Sequence, residues 1–153
     1  MKTNHNHERK RIMIVDDEDS VAKMLCVMFE NTGYQCVASH SGEDAIKCAT
    51  AFAPDLLICD LNLPGMNGRA CAERISQILP ACQVLFLTGD YLALAKAQDA
   101  DRAQGVEQEF LTKPQPPLVL LREAKRLLSP IRKKPAADLA SAEESVSATH
   151  CNS

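Results

Sequence analysis

The chain has 153 residues, a formal net charge of −3, 46% hydrophobic residues and no Trp. This suits one domain with an aliphatic core, and the nearly balanced charge excludes a general electrostatic affinity for nucleic acid or anionic membrane. No apolar run approaches the roughly 20 residues that span a bilayer, and the polar, basic start of the chain lacks the apolar segment of a secretory signal.

Residues 1–10 read as a disordered N-terminal arm. Ile12 to Val15 is an apolar run of the kind buried on both faces of a sheet, closed by the acids Asp16, Asp17, Glu18 and Asp19. Asp19 or Ser20 is the expected cap of the first helix, whose apolar stripe is Val21, Met24, Leu25, Met28 and Phe29. Gly33 ends it, and Tyr34 to Ala38 is a second strand. Ser41 starts a second helix with Ala45, Ile46, Ala49 and Phe52 on one face, and Pro54 bars its continuation.

The third strand, Leu56 to Cys59, ends on Asp60, and a turn-rich segment with Pro64, Gly65, Asn67 and Gly68 follows. A third helix from about Gly68 to Leu79 turns Cys71, Ile75, Ile78 and Leu79 inward. Gln83 to Thr88 is the fourth strand, and Gly89-Asp90 leads into a weakly amphipathic helix from Tyr91 to about Ala103, ended by Gly105. Val106 to Leu111 reads as the fifth strand, followed by Thr112-Lys113-Pro114. Pro116 and Pro117 open a last helix with Leu120, Leu121, Ala124, Leu127 and Leu128 buried, and Pro130 stops it. Beyond it, 131–153 is polar and reads as a disordered C-terminal tail, with Arg132-Lys133-Lys134 a solvated basic cluster.

Five strand–helix units predict an α/β fold with a doubly wound five-stranded parallel sheet. Right-handed crossovers bring the carboxyl ends of all five strands to one edge, and with them Asp16, Asp17, Asp60, Thr88 and Lys113. Three carboxylates in one cleft repel, which a divalent cation relieves; an all-oxygen set suits Mg²⁺ or Mn²⁺ rather than zinc. Lys113 offers a point charge to a phosphate oxygen or to Asp60, and Thr88 a hydroxyl donor. Gly89 removes a side chain from the place a phosphoryl group would occupy. Each feature alone is ordinary: acids cap helices and Thr-Gly-Asp makes turns. Together, in this order at one sheet edge, they point to Asp60 as a phosphate-accepting nucleophile. The seven cysteines show no metal-ligand spacing and read as reduced, mostly structural thiols in a cytosolic protein; Cys59 points to the face opposite Asp60.

The set Ile-Val-Asp16-Asp17-Glu18, Cys-Asp60-Leu-Asn-Leu-Pro-Gly-Met-Asn-Gly68, Leu-Thr88-Gly-Asp and Leu-Thr-Lys113-Pro114 resembles the receiver domains of two-component response regulators, over about 11–130. The resemblance implies a flavodoxin-like strand order 2-1-3-4-5 with helices on both faces. It implies that Asp60 accepts a phosphoryl group from a sensor histidine kinase or a histidine phosphotransfer protein. It implies Mg²⁺ held by Asp16, Asp17, Asp60 and the backbone carbonyl of Asn62. Thr88 and Lys113 then contact the phosphoryl group, Thr88 and Phe110 carry the switch, and the Lys113-Pro114 bond is cis. Such a protein is not an enzyme for an external substrate; it catalyses only its own phosphorylation and dephosphorylation. The stretch 105–110, Gly-Val-Glu-Gln-Glu-Phe, departs from the family's Gly-Ala-x-x-Tyr/Phe, and Leu63 stands where Met is frequent.

The expected whole is a single-domain, cytoplasmic, chemotaxis-regulator-like switch, monomeric or dimerising on phosphorylation. It signals through a downstream protein, without direct contact to nucleic acid or membrane. An aspartate-nucleophile phosphatase would show Asp-x-Asp after the first strand, which is absent. The alternative is a degenerate receiver acting as a phosphorylation-independent binding module, against which the intact acid, Thr and Lys set argues.

Overall fold

A computed structural model describes residues 8–129; most of the N-terminal arm and the whole C-terminal tail expected from the sequence lie outside the described residues. Five strands alternate with five helices: β1 (Arg11–Val15), α1 (Asp19–Asn31), β2 (Gln35–Ser39), α2 (Gly42–Phe52), β3 (Leu56–Asp60), α3 (Gly68–Ile78), β4 (Gln83–Thr88), α4 (Tyr91–Gln104), β5 (Glu109–Thr112) and α5 (Pro117–Leu128). All pairings are parallel, and the order is β2-β1-β3-β4-β5, as expected.

Side chains alternate across the sheet and so build two cores. Met13, Val15, Leu57, Cys59 and Phe86 face α2, α3 and α4 through Ala45, Ala49, Cys71, Ile75 and Ala97. Ile12, Ile14, Leu56, Ile58, Leu85 and Leu87 face α1 and α5 through Ala22, Leu25, Phe29, Leu120, Ala124 and Leu127. A strand buried on both faces must be apolar at every position, which is why β1 and β3 read as continuous runs.

The boundaries differ from the sequence reading in ways that local bonding explains. Glu18, not Asp19 or Ser20, occupies the N-cap of α1, with no side-chain cap. The Asp19 carboxylate instead pairs with Lys23 at 2.8 Å and His40 at 2.9 Å. The buried stripe of α1 is Ala22, Leu25, Cys26 and Phe29, so Met24, at 60% exposure, faces outward. Strand β2 starts one residue late because the Tyr34 N–H still bonds the Phe29 carbonyl of the helix end. Ile78 is exposed rather than inward, and Ala72 is buried in α3. Strand β5 starts at Glu109, three residues after the expected Val106, because the Val106 N–H donates to the Asp101 carbonyl and completes the turn ending α4. Gly105 takes the left-handed conformation in that turn, at φ 66°.

Side chains cap three of the other helices. Ser41 Oγ accepts from the Asp44 N–H, Asn67 Oδ1 from Ala70, and Asp90 from Leu92 and Ala93. Pro117 lies in the first turn of α5 behind the N-cap Pro116.

Candidate functional site

The site is assembled by register. Val15 pairs with Cys59, so the next residues, Asp16 and Asp60, stand at the same level of the carboxyl edge. Asp60 pairs with Leu87, and Thr88 with Thr112, which puts Thr88 and Lys113 just above them. The Lys113 N–H donates to the Thr88 carbonyl at 2.8 Å and fastens the two strand ends together.

Lys113 Nζ donates to Asp16 Oδ2 at 2.6 Å and to Asp60 Oδ2 at 2.9 Å. Backbone donors hold the opposite oxygens: Glu18 N–H to Asp16 Oδ1 and Asn62 N–H to Asp60 Oδ1, each 3.0 Å. Asp16 is buried, Asp60 half-buried and Asp17 exposed, so the cluster grades from core to solvent. Burial works against the Lys113 charge, but the hydrogen bonds and charges of Asp16 and Asp60 outweigh it and raise its pKa.

Asp16, Asp17 and Asp60 each bring a carboxylate oxygen within 4.8 Å of the others. Three hard oxygen donors that close fit Mg²⁺ or Mn²⁺, and with one ammonium among three carboxylates the cluster retains net negative charge for a cation to neutralise.

Thr88 is buried at the end of β4, and its Oγ accepts from the Asp90 N–H at 3.1 Å while the hydroxyl keeps its own proton as a donor. Phe110 is half-buried and stacks on Phe86, with ring centroids 5.3 Å apart and planes at 24°. It lines a cleft of about 300 Å³ between α4 and β5. The Lys113-Pro114 peptide is cis. Cys59 lies in the core facing α2 and α3, where its Sγ donates to the Asp60 carbonyl oxygen at 3.4 Å.

Three contacts of the rim were not read from the sequence: the close approach at Gly68, the Asn62–Asp90 bond and the Arg69–Asp101 bridge. Gly68 opens α3 so close to β3 that a Cβ there would lie 1.9 Å from the Asp60 carbonyl oxygen; only glycine fits. In contrast, a Cβ at Gly89 would meet only Lys113 Cβ, at an ordinary 3.8 Å. Asn62 Nδ2 donates to Asp90 Oδ2 at 3.1 Å and links the loop after Asp60 to the N-terminus of α4. The Ala93 N–H and the Asn62 amide hold the Asp90 carboxyl below the usual range. Arg69 reaches across to α4, bonding the Ala97 carbonyl at 3.1 Å and the buried Asp101 carboxylate. Gly68 sat in a recognised motif and was legible as a turn residue; Arg69 and Asp101, on separate helices, carry no local signal.

Residues 12–125 match the family model described as the response regulator receiver domain. Among curated relatives, the chain is 31% identical over 122 residues to the alkaline phosphatase synthesis transcriptional regulatory protein PhoP of Bacillus subtilis, covering 78% of this chain and 48% of that protein. It is 31% identical over 124 residues to the phosphate regulon transcriptional regulatory protein PhoB of Pseudomonas aeruginosa, covering 78% and 52%. The chain thus spans about half the length of the curated relatives it matches. Among solved structures, the receiver domain of a signal transduction histidine kinase from Syntrophus aciditrophicus superposes with a TM-score of 0.67 at 30% identity, covering 83% of this chain and 96% of that one. The Vibrio cholerae chemotaxis protein CheY4 shares the fold, with a TM-score of 0.70 at 24% identity, covering 79% of this chain and all of that one. The chain belongs to the response regulator receiver family, whose members act in phosphorylation-based signalling.

Proposed function

We propose that Asp60 is the phosphoacceptor, taking a phosphoryl group from a histidine kinase or histidine phosphotransfer protein and switching a protein-binding surface. The observation that carries this reading is the placement of Lys113 Nζ, 2.6 Å from Asp16 and 2.9 Å from Asp60, beside three mutually close carboxylates.

In the proposed step an Asp60 carboxylate oxygen attacks the phosphorus of a phosphohistidine in line, and the P–N bond breaks as the acyl phosphate forms. Lys113 is already beside Asp60, so its ammonium meets the phosphoryl oxygens without reorganisation. Asp16, Asp17, Asp60 and the Asn62 carbonyl would hold Mg²⁺, or Mn²⁺ as a substitute, which when bound supplies charge neutralisation at the transferring group. The Asn62 N–H fixes the rotamer of Asp60 through Oδ1. Thr88 then turns its hydroxyl to the new phosphoryl oxygens and gives up the bond from the Asp90 N–H, and Phe110 follows into the space released, biasing the α4–β5 surface. Catalysis is limited to the protein's own phosphorylation and dephosphorylation.

The test is incubation with ³²P-labelled acetyl phosphate and Mg²⁺. Label stable to acid and released by hydroxylamine, as an acyl phosphate requires, is expected on the wild type and absent from Asp60→Asn. Label retained by folded Asp60→Asn would overturn the assignment.

A further inference from the structure

Cys26 on α1 and Cys36 on β2 hold their sulfur atoms 2.7 Å apart, and both are free thiols. That is shorter than the roughly 3.5–4.0 Å contact of two carbon atoms, although sulfur is larger. Less than about 1 Å of further approach reaches the ~2.05 Å of an S–S bond.

The backbone already holds the pair in place. The two cysteines are ten positions apart, across the turn that joins α1 to β2. The Thr32 and Tyr34 N–H groups both bond the Phe29 carbonyl, and Phe29 and Tyr34 pack edge to face at 5.9 Å. Cys36 sits on β2, one of the two edge strands of the sheet, and is half-buried, so the pair is approached from that edge.

The other described thiols are placed differently. Cys59 and Cys71 are wholly buried. Cys82 is buried just before β4, and burial pushes its thiol pKa up to about 12. Cys48 is exposed on α2. Among the described residues, Cys26 and Cys36 combine a 2.7 Å sulfur–sulfur approach with access from the surface.

We propose that Cys26 and Cys36 are a site of reversible oxidation, at which hydrogen peroxide converts the two thiols into a disulfide that staples α1 to β2. The Cys26 thiolate attacks one peroxide oxygen; the O–O bond breaks, Cys26 becomes a sulfenic acid, and the leaving hydroxide takes up a proton as water. The Cys36 sulfur then attacks the Cys26 sulfur, the S–O bond breaks, and the hydroxyl departs with the Cys36 proton as a second water. Two thiols lose two electrons and two protons, and the peroxide gains them. The hydrogen bond between the sulfurs, in which either thiol can donate, eases loss of the proton from the other, while burial and the Glu30 charge oppose it.

The experiment treats the reduced, desalted full chain with a modest excess of hydrogen peroxide in native buffer. Remaining thiols are then alkylated in denaturant, and non-reduced peptides are mapped by mass spectrometry. The expected result is a loss of two hydrogens confined to the linked peptides of Cys26 and Cys36, reversed by dithiothreitol. Cys48→Ser keeps the link, and Cys26→Ser and Cys36→Ser each remove it. The proposal is overturned if wild type yields mainly other linkages or intermolecular dimers. It is equally overturned if Cys26 and Cys36 are both alkylated while Cys48 is oxidised.

Discussion

Every residue from Ile12 to Val15 and from Leu56 to Cys59 is at most 1% exposed. At the other side of the sheet, β5 has no fully buried residue, and α4 buries only Ala97 and the acid Asp101. The strands that carry Asp16 and Asp60 are therefore anchored by aliphatic packing on both faces. The element next to Thr88 and Phe110 is held by polar ties: the Arg69 bridge, the Asp90 cap and the Asn62–Asp90 bond. Apolar burial is insensitive to small displacements, whereas hydrogen bonds are directional and can be exchanged for bonds to water or to a new anion. The proposed phosphoryl site needs the first kind of support, and the proposed switching surface draws on an element of low local stability. Tyr91 and Leu92, exposed at the start of α4, add contact area without anchoring it.

The contrast can be broken most forcefully at the anchored side. Leu57→Ala, which opens a cavity at the sheet centre, is expected to cost about 2–5 kcal/mol in urea unfolding. Leu92→Ala on α4 should stay within about 0.5 kcal/mol.

Next in size is the glycine pair. Gly68→Ala forces a methyl against the Asp60 carbonyl and is expected to cost at least about 1–3 kcal/mol and to slow labelling by acetyl phosphate, because β3 and its carboxylate must shift. Gly89→Ala meets only an ordinary contact and should leave stability nearly unchanged. Equal losses from the two would remove the distinction between a rigid Asp60 rim and a roomier Thr88 rim.

Arg69→Ala probes the polar side. It strands the Asp101 carboxylate, one oxygen of which already lacks a partner among the described residues. The expected cost is about 1–3 kcal/mol, moderated because the Arg69 side chain is 24% exposed and water can enter. Hydrogen exchange should quicken in α4 and not in β1 or β3.

The smallest effects are those of pH. Lys113 has a folded pKa raised above its ordinary 10.5, so its contribution is fully present below pH 10.5 and is lost as pH rises through the folded value. The stability difference between wild type and Lys113→Gln should accordingly shrink in strongly alkaline urea titrations. Asp90 is the reverse: its pKa is lowered from 3.8, so its capping of α4 is present above pH 3.8 and fades as pH falls through the lower folded value. Amide exchange at Leu92 and Ala93 should quicken at that acid limit before any change in β1 or β3.

Much of this molecule was legible from the chain alone. The runs Ile12 to Val15, Leu56 to Cys59 and Val84 to Leu87 announce buried parallel strands because a strand covered on both faces has no polar position between its ends. Ser41, Asp90 and Pro117 mark helix starts because the bonds they make or forgo lie within a few residues. The strand order and the handedness of the crossovers then bring Asp16, Asp17, Asp60, Thr88 and Lys113 to one edge, as the motif set implied. The sequence was less able to place boundaries where competing partners decide. Asp19 resembles a cap, yet its carboxylate goes to Lys23 and His40; Val106 resembles a strand residue, yet its N–H closes the end of α4.

Only the tertiary structure decided which groups meet across distance. The two bonds of Lys113, the clash that reserves position 68 for glycine, the Arg69–Asp101 bridge and the Cys26–Cys36 approach join residues on different elements. Periodicity and capping report a residue's relation to its near neighbours in the chain. These contacts depend on how separate elements pack, to within an ångström, and no local pattern records that.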